Sequence, residues 1–473
     1  MKNIKLLYIV GLTALILSSC NDFLNVNPKS SLSEDQMFSS EMGFKQTLSG
    51  VYSQIAERSL YGDNLSMGFV SALAQNYNPA AHGFVFKETT ALNYESSEVK
   101  ERLDSIWSAS YNAIAGLNNI LDKIEKQKGL FTGTNYNLIK GEALGLRAYL
   151  HFDLLRLFAA NPNLEMQALA IPYKKVLGPM SQKPELVGDF LNLVLADLME
   201  AEGLLKGIDS FVQKDKSRRF KMNSIAVIAL QARVNLYKGD KVNAKAAALA
   251  VVETDALSFV TNAEIATSSA TKDRLFSNEQ VFAVRVADIK DWTESGTSAY
   301  FRYTTSLSKT NLTRSDANFA TLYETGGGGG TDYRFVYLLE NDGTTKFPSK
   351  FWQTSSALDI VRLDHTVPLI RLSEMYYILA ESSSNVAEGV GYLNKVRKHR
   401  GLAEFPNGSL DAVSLSNEIV KEYQKEFYAE GQLFFMYKRL NFPRMQFNSR
   451  LLNSSIYIMP IPDTETEFNP QYN

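Results

Sequence analysis

Residues 222–254 read MNSIAVIALQARVNLYKGDKVNAKAAALAVVET, which is two helix-forming stretches separated by a Gly-Asp pair. The first stretch, 222–238, has apolar residues at helical spacing, and the second, 241–254, repeats small residues such as Ala244 and Ala248. Small side chains let two helices approach closely, and Gly-Asp is typical of a reversal of the chain. The segment therefore predicts a pair of antiparallel helices.

A second hairpin is predicted over 369–401, and both hairpins have the length of tetratricopeptide-type helix pairs, about 34 residues. Apolar residues that recur every three or four positions predict further helices. Their approximate ranges are 39–58, 101–126, 136–159 and 184–206, with a last helix that ends near Gly431. The fold class expected is mainly α, with tetratricopeptide-like helical hairpins that form a scaffold.

Residues 256–365 lack this periodicity and are rich in Thr, Ser, Gly, Tyr and Asp. The segment is expected to carry short strands, of which Val281–Val286, VFAVRV, is one. Long irregular segments inside a compact domain are usually functional or disordered. We expect one body, 34–473, in which an irregular, loop-rich lobe interrupts a helical scaffold made of 34–255 and 366–473.

The N-terminus has the anatomy of an export signal. Two lysines precede the apolar run Leu6–Leu17, and small residues lead to the one cysteine of the chain, in Leu-Ser-Ser-Cys20. This pattern resembles a bacterial lipobox, in which the cysteine thiol receives a lipid after cleavage. We predict a lipoprotein signal peptide over 1–19, lipid attachment at Cys20 and a lipidated tether over 20–33. The alternative is an ordinary secreted protein with an incidental cysteine.

Composition excludes several classes of protein. Lys and Arg total 49 against 51 Asp and Glu, so the basic face of a nucleic-acid binder is not expected. A single cysteine cannot form a disulfide framework within the chain. The four histidines match no metal-binding spacing, and neither a Gly-x-Ser-x-Gly elbow nor a phosphate-binding loop is present. We therefore expect no catalytic residue, no cofactor and no metal.

Some polar residues in the predicted helices are better explained by structure than by chemistry. His151 lies within an apolar helix and is expected in the core, and Asp153 is expected to pair with Arg156 three residues later. Glu426 and Glu430 lie four residues apart and are expected to form ion pairs rather than an acid–base pair.

Motifs that occur in a fixed order point to a known family. They are Cys20–Pro28 (CNDFLNVNP), Arg147–Tyr149 with Arg156–Phe158, Arg371–Tyr376 (RLSEMY), Leu393–Arg397 (LNKVR), Glu426–Gly431 (EFYAEG), Phe434-Phe435, Lys438-Arg439, Pro460–Pro462 and Asn469-Pro470. The series resembles the SusD/RagB family of surface lipoproteins over nearly the whole mature chain.

The resemblance implies a helical fold with tetratricopeptide-like pairs and an irregular lobe beside them. It also implies a binding protein without enzyme activity, lipid-anchored at the outer membrane and facing the cell exterior. The implied partner is a SusC-like TonB-dependent β-barrel transporter, and the implied cargo is a glycan or oligosaccharide, sometimes a peptide.

Two departures from the family pattern bear on the ligand. Met436 and Tyr437 stand where family members often have an aspartate, and three tryptophans offer few flat platforms for sugar rings. A tetratricopeptide-type surface lipoprotein that binds protein or peptide, with no saccharide ligand, remains the main alternative. A surface hydrolase is poorly supported.

A sugar site needs an exposed aromatic ring beside polar groups that bond hydroxyls. Two irregular segments combine such residues, and we expect their rings to be more exposed than rings on helix stripes such as Trp107, which is expected in the core. For each single candidate, packing in the core is the alternative. Trp292 is the foremost candidate. The candidates in the first segment are Tyr77, Asn78, Phe84 and Phe86, and those in the second are Asp291, Trp292, Tyr300, Arg302, Tyr303, Asp332, Tyr333, Arg334 and Trp352.

Overall fold

The computed structural model describes residues 33–79, 84–178, 182–209, 215–267, 271–294, 299–301, 312–341, 346–353 and 364–469. The predicted signal peptide, Cys20 and the tether up to residue 32 lie outside these residues, as do Arg302 and Tyr303. Among the residues described, no helix combines the length and the apolar character that crossing a bilayer requires.

The described chain is mainly helical, as predicted. The helices are α1 (Glu34–Met37), α2 (Glu41–Ala56), α3 (Phe69–Leu73), α4 (Lys87–Thr90), α5 (Ser97–Lys126), α6 (Asn135–Phe158), α7 (Val187–Leu205), α8 (Ser224–Lys238), α9 (Lys241–Val252), α10 (Asn262–Ile265), α11 (Lys290–Thr293), α12 (Asp316–Leu322), α13 (Tyr333–Tyr337), α14 (Leu372–Ser382), α15 (Val386–His399), α16 (Ala412–Glu426), α17 (Leu433–Arg439) and α18 (Asp463–Phe468). The strands are β1 (Gln280–Arg285), β2 (Leu339–Asn341), β3 (Lys346–Pro348) and β4 (Thr366–Arg371).

The long helices stack in a continuous series. Each of α2, α5, α6, α7, α8, α9, α14 and α15 packs against the next in that order. Helices α8 and α9 form the hairpin that the sequence predicts, and Gly239 makes the turn with a φ of 89°, in the left-handed region that favours glycine. Because α14 packs directly on α9, the stack continues in space across the irregular segment that separates them in sequence.

A two-stranded sheet marks where the irregular segment leaves and rejoins the stack. Strand β1 pairs with β4 in antiparallel register, from Gln280 opposite Arg371 to Arg285 opposite Thr366. Strands β2 and β3 form a second antiparallel pair within the segment. The strand predicted at Val281–Val286 is therefore present, shifted by one residue.

Helix α6 forms the centre of the stack, and every residue from Gly141 to Phe158 is buried. Its polar side chains are paired: Arg156 donates to Asp153, as predicted, and Arg147 Nε donates to Asp197 at 2.7 Å. His151 is fully buried, which confirms its expected place in the core.

The predicted ion pairs of Glu426 and Glu430 are confirmed as parts of a buried cluster. Arg371 Nε donates to Glu430 at 2.8 Å, while Arg334 and Arg400 donate to Glu426 Oε2 at 2.8 and 3.0 Å. Burial opposes ionisation, but Arg400 and Arg371 outweigh it and hold the pKa of Glu426 well below its usual range. The cluster joins the irregular segment to the helical stack, because Arg334 belongs to the former and Glu426 to the latter.

The prediction for the last helix was wrong in its end point. Helix α16 ends at Glu426, and the chain turns through left-handed residues Ala429 and Gly431 before α17 begins. The apolar periodicity continued past the true end because Phe427 and Tyr428 are also buried.

Candidate functional site

The structure brings together part of each predicted ligand-binding segment. Phe86 of the first segment lies edge-on to Tyr300 of the second, with ring centroids 6.0 Å apart, and Phe84 packs on Phe86 at the same distance. Trp292 lies behind them, since the backbone N–H of Tyr300 donates to the Trp292 carbonyl at 2.8 Å. The two segments therefore meet in one aromatic layer.

The expectation that these rings are exposed was wrong. Tyr77 is 0% exposed, Tyr300 4% and Trp292 5%, and the rings of Phe84 and Phe86 are buried as well. These aromatic residues are the main apolar groups of otherwise polar segments, so they attach the segments to the helical stack. In this structure their faces are not open platforms for a sugar ring.

The remaining candidates are dispersed. Asp291 is exposed, and Asn78 is half-buried with its backbone N–H donating to the Thr313 carbonyl. Trp352 is half-buried and donates from Nε1 to the Phe301 carbonyl at 2.6 Å, which places it beside the aromatic layer. Tyr333 is half-buried, and its N–H donates to the Arg400 carbonyl at the buried ion cluster.

Two charged candidates of the second segment do not face a ligand site. Asp332 and Arg334 are fully buried and paired, with Arg334 Nε donating to Asp332 Oδ1 at 2.9 Å. Charges so deeply buried require partners, and these two residues find them in the ion cluster rather than at a surface.

A polar triad covers the aromatic layer. Arg58 donates to Asp63 Oδ2 from Nη2 at 2.8 Å, and Tyr300 Oη donates to the same oxygen at 3.0 Å. The Arg58 guanidinium lies over Trp292, 4.8 Å from the ring centroid, and its side chain is 52% exposed. Arg58 is therefore the solvent-accessible residue of this layer, and the Trp292 ring packs against the buried side of its guanidinium.

Electrostatics hold this triad in one protonation state. Burial and the neighbouring Asp63 raise the pKa of Tyr300 far above neutral pH, so its hydroxyl stays protonated and donates. Burial alone would lower the pKa of Arg58, but Asp63 outweighs it and the pKa rises. The arrangement is a fixed set of donors and acceptors rather than an acid–base pair.

Three buried polar atoms around the triad have no hydrogen-bond partner among the described residues. They are Asp63 Oδ1, Arg102 Nε and Trp292 Nε1. Arg102 otherwise donates to Asn64 at 3.1 Å and stacks on Phe86 at 4.4 Å. Unpaired buried polar atoms are rare in native proteins, and a cluster of one acceptor and two donors needs an explanation.

Asp63 and Arg102 line an open groove of about 440 Å³ in which every lining residue is polar or charged, and Trp292 lies beneath the Arg58 side chain at its edge. We call it the Arg58 groove. Its principal lining residues are Arg58, Asp63, Asn64, Glu98, Glu101 and Arg102. Two cations face three carboxylates, so the groove is nearly balanced in charge and rich in hydrogen-bonding groups. Among the described residues, no group of three or more His, Cys, Asp or Glu side chains could hold a metal ion.

Comparison with known proteins settles the family. A family model described as "Starch-binding associating with outer membrane" matches residues 22–236, and a model of the SusD family matches residues 339–473. The chain belongs to the SusD family. A SusD-like protein of Formosa agariphila is 25% identical to it over 266 residues, which are 55% of this chain and 48% of the relative. The match thus spans about half the length of that curated protein.

Solved structures of SusD proteins share the fold of this SusD-family chain. A SusD superfamily protein of Bacteroides thetaiotaomicron has a TM-score of 0.70 and 20% identity, covering 91% of this chain and 98% of its own. A SusD-like carbohydrate binding protein of Bacteroides vulgatus has a TM-score of 0.70 and 18% identity, covering 91% and 97%. At these identities the likeness concerns the fold alone.

Sequence reasoning missed the groove residues of this SusD-family chain. Arg58 and Asp63 lie in the turns that follow α2, and Arg102 lies on the polar face of the amphipathic helix α5. A polar helix face is ordinarily only solvated, so its charges gave no signal by themselves. Only the coordinates draw attention to Asp63, because a β-carbon on Gly68 would lie 2.0 Å from its Oδ1.

Proposed function

We propose that the chain is a surface lipoprotein that binds a glycan or oligosaccharide in the Arg58 groove without transforming it. In this proposal lipid at Cys20 anchors it to the outer membrane, facing the cell exterior. The bound saccharide passes to a SusC-like TonB-dependent transporter. Membership of the SusD family supports the proposal, as do the words "Starch-binding" and "outer membrane" in the description of the matching family model.

The observation that carries the proposal is the charge-balanced Arg58 groove, which is lined by polar and charged side chains and in which Asp63 and Arg102 each keep one buried polar atom without a partner among the described residues. A sugar hydroxyl both donates and accepts, so hydroxyls in the groove can accept from the guanidinium groups of Arg58 and Arg102 and donate to the lining carboxylates of Glu98 and Glu101. The near balance of charge favours an uncharged ligand over a strongly ionic one. The buried state of Trp292 and Tyr300 means that binding depends on hydrogen bonds more than on ring stacking.

Substitution of Arg102 tests this proposal with little risk to the core. Arg102→Gln removes the Nε donor, and Lys100→Gln on the same helix is the matched control because Lys100 does not line the groove. Isothermal titration calorimetry against neutral oligosaccharides selected on a glycan array, maltoheptaose included, gives the affinities. We expect at least tenfold weaker binding for Arg102→Gln and wild-type binding for Lys100→Gln. Equal affinities for all three proteins would refute the groove as the site.

A peptide-binding function is the second candidate, and one feature favours it. A cavity of about 340 Å³ lies between α14, α15, α16 and α17, and its lining includes Leu415, Ile419, Met436 and Leu440. Apolar cavities between helical hairpins suit the side chains of a bound peptide. This alternative would be favoured if the purified protein bound peptides but bound neither neutral nor acidic saccharides.

A further inference from the structure

A second groove, separate from the Arg58 groove, lies between the irregular segment and the C-terminal part of the chain. It has a volume of about 750 Å³ and is bounded by the end of α12, by α16 and by residues 442–449. Its principal lining groups are the rings of Phe442 and Phe447, the amides of Gln424, Gln446 and Asn448, and the Arg444 guanidinium. We call it the Phe447 groove.

The aromatic rings of this groove are fixed from behind. Phe442 stacks on the fully buried Tyr437, with centroids 5.4 Å apart and planes inclined by 29°. Tyr437 Oη in turn accepts from Gln424 Nε2 at 3.0 Å. Both Phe442 and Phe447 are only half-buried, in contrast to the rings beneath the Arg58 groove. They therefore offer apolar surface of the kind that the C–H face of a sugar ring packs against.

The backbone of Phe447 adds a second observation. Its φ is 64°, in the left-handed region that bulky residues rarely adopt. Glycine would occupy this position without strain, so the phenyl ring is retained at a cost to the fold. Strain of this kind tends to occur where a side chain has a task.

Positive charge without a carboxylate partner among the described residues lies both beneath this groove, at the buried Arg314, and at its surface, at Arg444. The guanidinium of Arg314 lies 4.2 Å from the Phe447 centroid, and its hydrogen bonds are to the carbonyls of Gln75 and Asn76 rather than to a carboxylate. Burial lowers the pKa of Arg314 to about 10, which still leaves it charged at neutral pH. Arg444 is exposed and forms no ion pair with the residues described.

The one carboxylate among the described lining residues does not offset these two arginines. Glu324 is engaged by Lys421 at 2.8 Å and by Lys425 at 2.6 Å. Arg314 and Arg444 therefore remain as an excess of positive charge around two half-buried rings and three amides. The Arg58 groove, with its near balance of charge, differs in this respect.

We propose that the Phe447 groove is a second binding site, and that it takes an acidic oligosaccharide, one that bears carboxylate or sulfate groups. The anionic group is held by Arg444 and by the field of Arg314, the sugar face packs on Phe442 and Phe447, and the amides bond to hydroxyls. The proposal rests on the proposed saccharide function only for the class of ligand, since the groove and its charge are independent of the Arg58 groove.

The test uses hexagalacturonate and a sulfated κ-carrageenan hexasaccharide as acidic probes and maltoheptaose as the neutral probe. Phe447→Gly removes the ring and relieves the left-handed backbone, and Arg444→Gln removes the exposed charge. Arg450→Gln is the control, because Arg450 is exposed and does not line the groove. Affinities come from calorimetry, and thermal melts report folding.

We expect at least one acidic probe to bind wild type, with at least tenfold weaker binding for Phe447→Gly and Arg444→Gln and less than twofold change for Arg450→Gln. A cooperative melt of Phe447→Gly that begins well above the temperature of the calorimetry separates lost binding from lost folding. Failure of both acidic probes to bind wild type overturns the proposal, as does unchanged affinity in Phe447→Gly. Loss of acidic binding in Arg102→Gln also overturns it, because that result places both ligands in the Arg58 groove.

Discussion

His151 makes the stability of the fold depend on pH in a direction that the structure fixes. Its neutral ring is fully hydrogen-bonded: Nδ1 donates to the Arg147 carbonyl at 2.9 Å, and Nε2 accepts from the Lys174 N–H at 3.0 Å. Tyr173 stacks on the ring with centroids 3.9 Å apart. Burial lowers the pKa of His151 from 6.5 to about 3, because a charged imidazole would lose water and this acceptor role.

The sign and size of the effect follow from the two pKa values. In the unfolded chain the ring takes up a proton below pH 6.5, whereas in the folded chain it stays neutral until about pH 3. The stabilisation is therefore complete above pH 6.5 and is lost progressively as the pH falls toward 3. Each pH unit in this window costs about 1.4 kcal/mol, so acidification to about pH 4.5 should remove roughly 3 kcal/mol through His151.

Urea unfolding of wild type and His151→Asn at about pH 7.5 and pH 4.5 isolates this contribution. Asparagine keeps a donor for the Arg147 carbonyl and does not titrate in this range. We expect wild type to lose roughly 3 kcal/mol more than the variant between the two pH values, since other groups titrate in both proteins. Equal losses in the two proteins would show that His151 is not the neutral, desolvated group described here.

Two further substitutions test the ion cluster and the support of the Arg58 groove. Glu426→Gln leaves buried arginines uncompensated and should lower the free energy of unfolding, measured in urea titrations, by about 3–5 kcal/mol. The control Glu418→Gln, on the same helix, should change the free energy of unfolding by less than about 1 kcal/mol. Gly68→Ala should force Asp63 away, since the new β-carbon would lie 2.0 Å from its Oδ1, and calorimetry should show at least tenfold weaker saccharide binding. The control is Gly50→Ala, where no atom lies within 4 Å of the new carbon. It should bind saccharide normally and gain about 0.5–1 kcal/mol of stability. Normal saccharide binding by Gly68→Ala would contradict the role of Asp63.

The helical scaffold could be predicted from the sequence because its signals are local. The hairpin predicted at 222–238 and 241–254 occurs as α8 and α9, with ends displaced by at most two residues. The apolar periodicity indicated which helix faces are buried, and Gly239 indicated the turn between the two helices. The helix predicted from residue 101 begins earlier, at Ser97, because Ser96 caps it by accepting from the Val99 N–H.

The candidate site could not be predicted in the same way, because its residues come from separate segments. Arg58, Asp63 and Arg102 lie far in sequence from Trp292 and Tyr300, and the contact between them depends on how the irregular segment packs. The sequence did indicate that aromatic residues of two segments matter, and Phe86 and Tyr300 do meet. It gave no indication that Trp292 would support an arginine instead of facing solvent.

The burial of Asp332 and Arg334 could not be predicted from the sequence either. A charged pair in a polar segment is usually exposed, and no local pattern distinguishes a pair that is buried by a distant helix. The second carboxylate partner of Arg334, Glu422, comes from α16, with its Oε2 2.8 Å from Arg334 Nη2. Only the tertiary structure supplies that contact.

The indole N–H of Trp292 offers the most direct test of saccharide binding at the Arg58 groove. Its Nε1 has no partner among the residues described, whereas that of Trp352 already donates to Phe301, and Trp107 lies elsewhere, in the helical core. Two-dimensional NMR of the indole signals, assigned with a Trp292→Phe variant, follows a titration with a neutral oligosaccharide that binds in calorimetry. We expect the Trp292 signal to shift while that of Trp107 stays in place. A Trp292 signal that does not move at saturating ligand would contradict saccharide binding at the Arg58 groove.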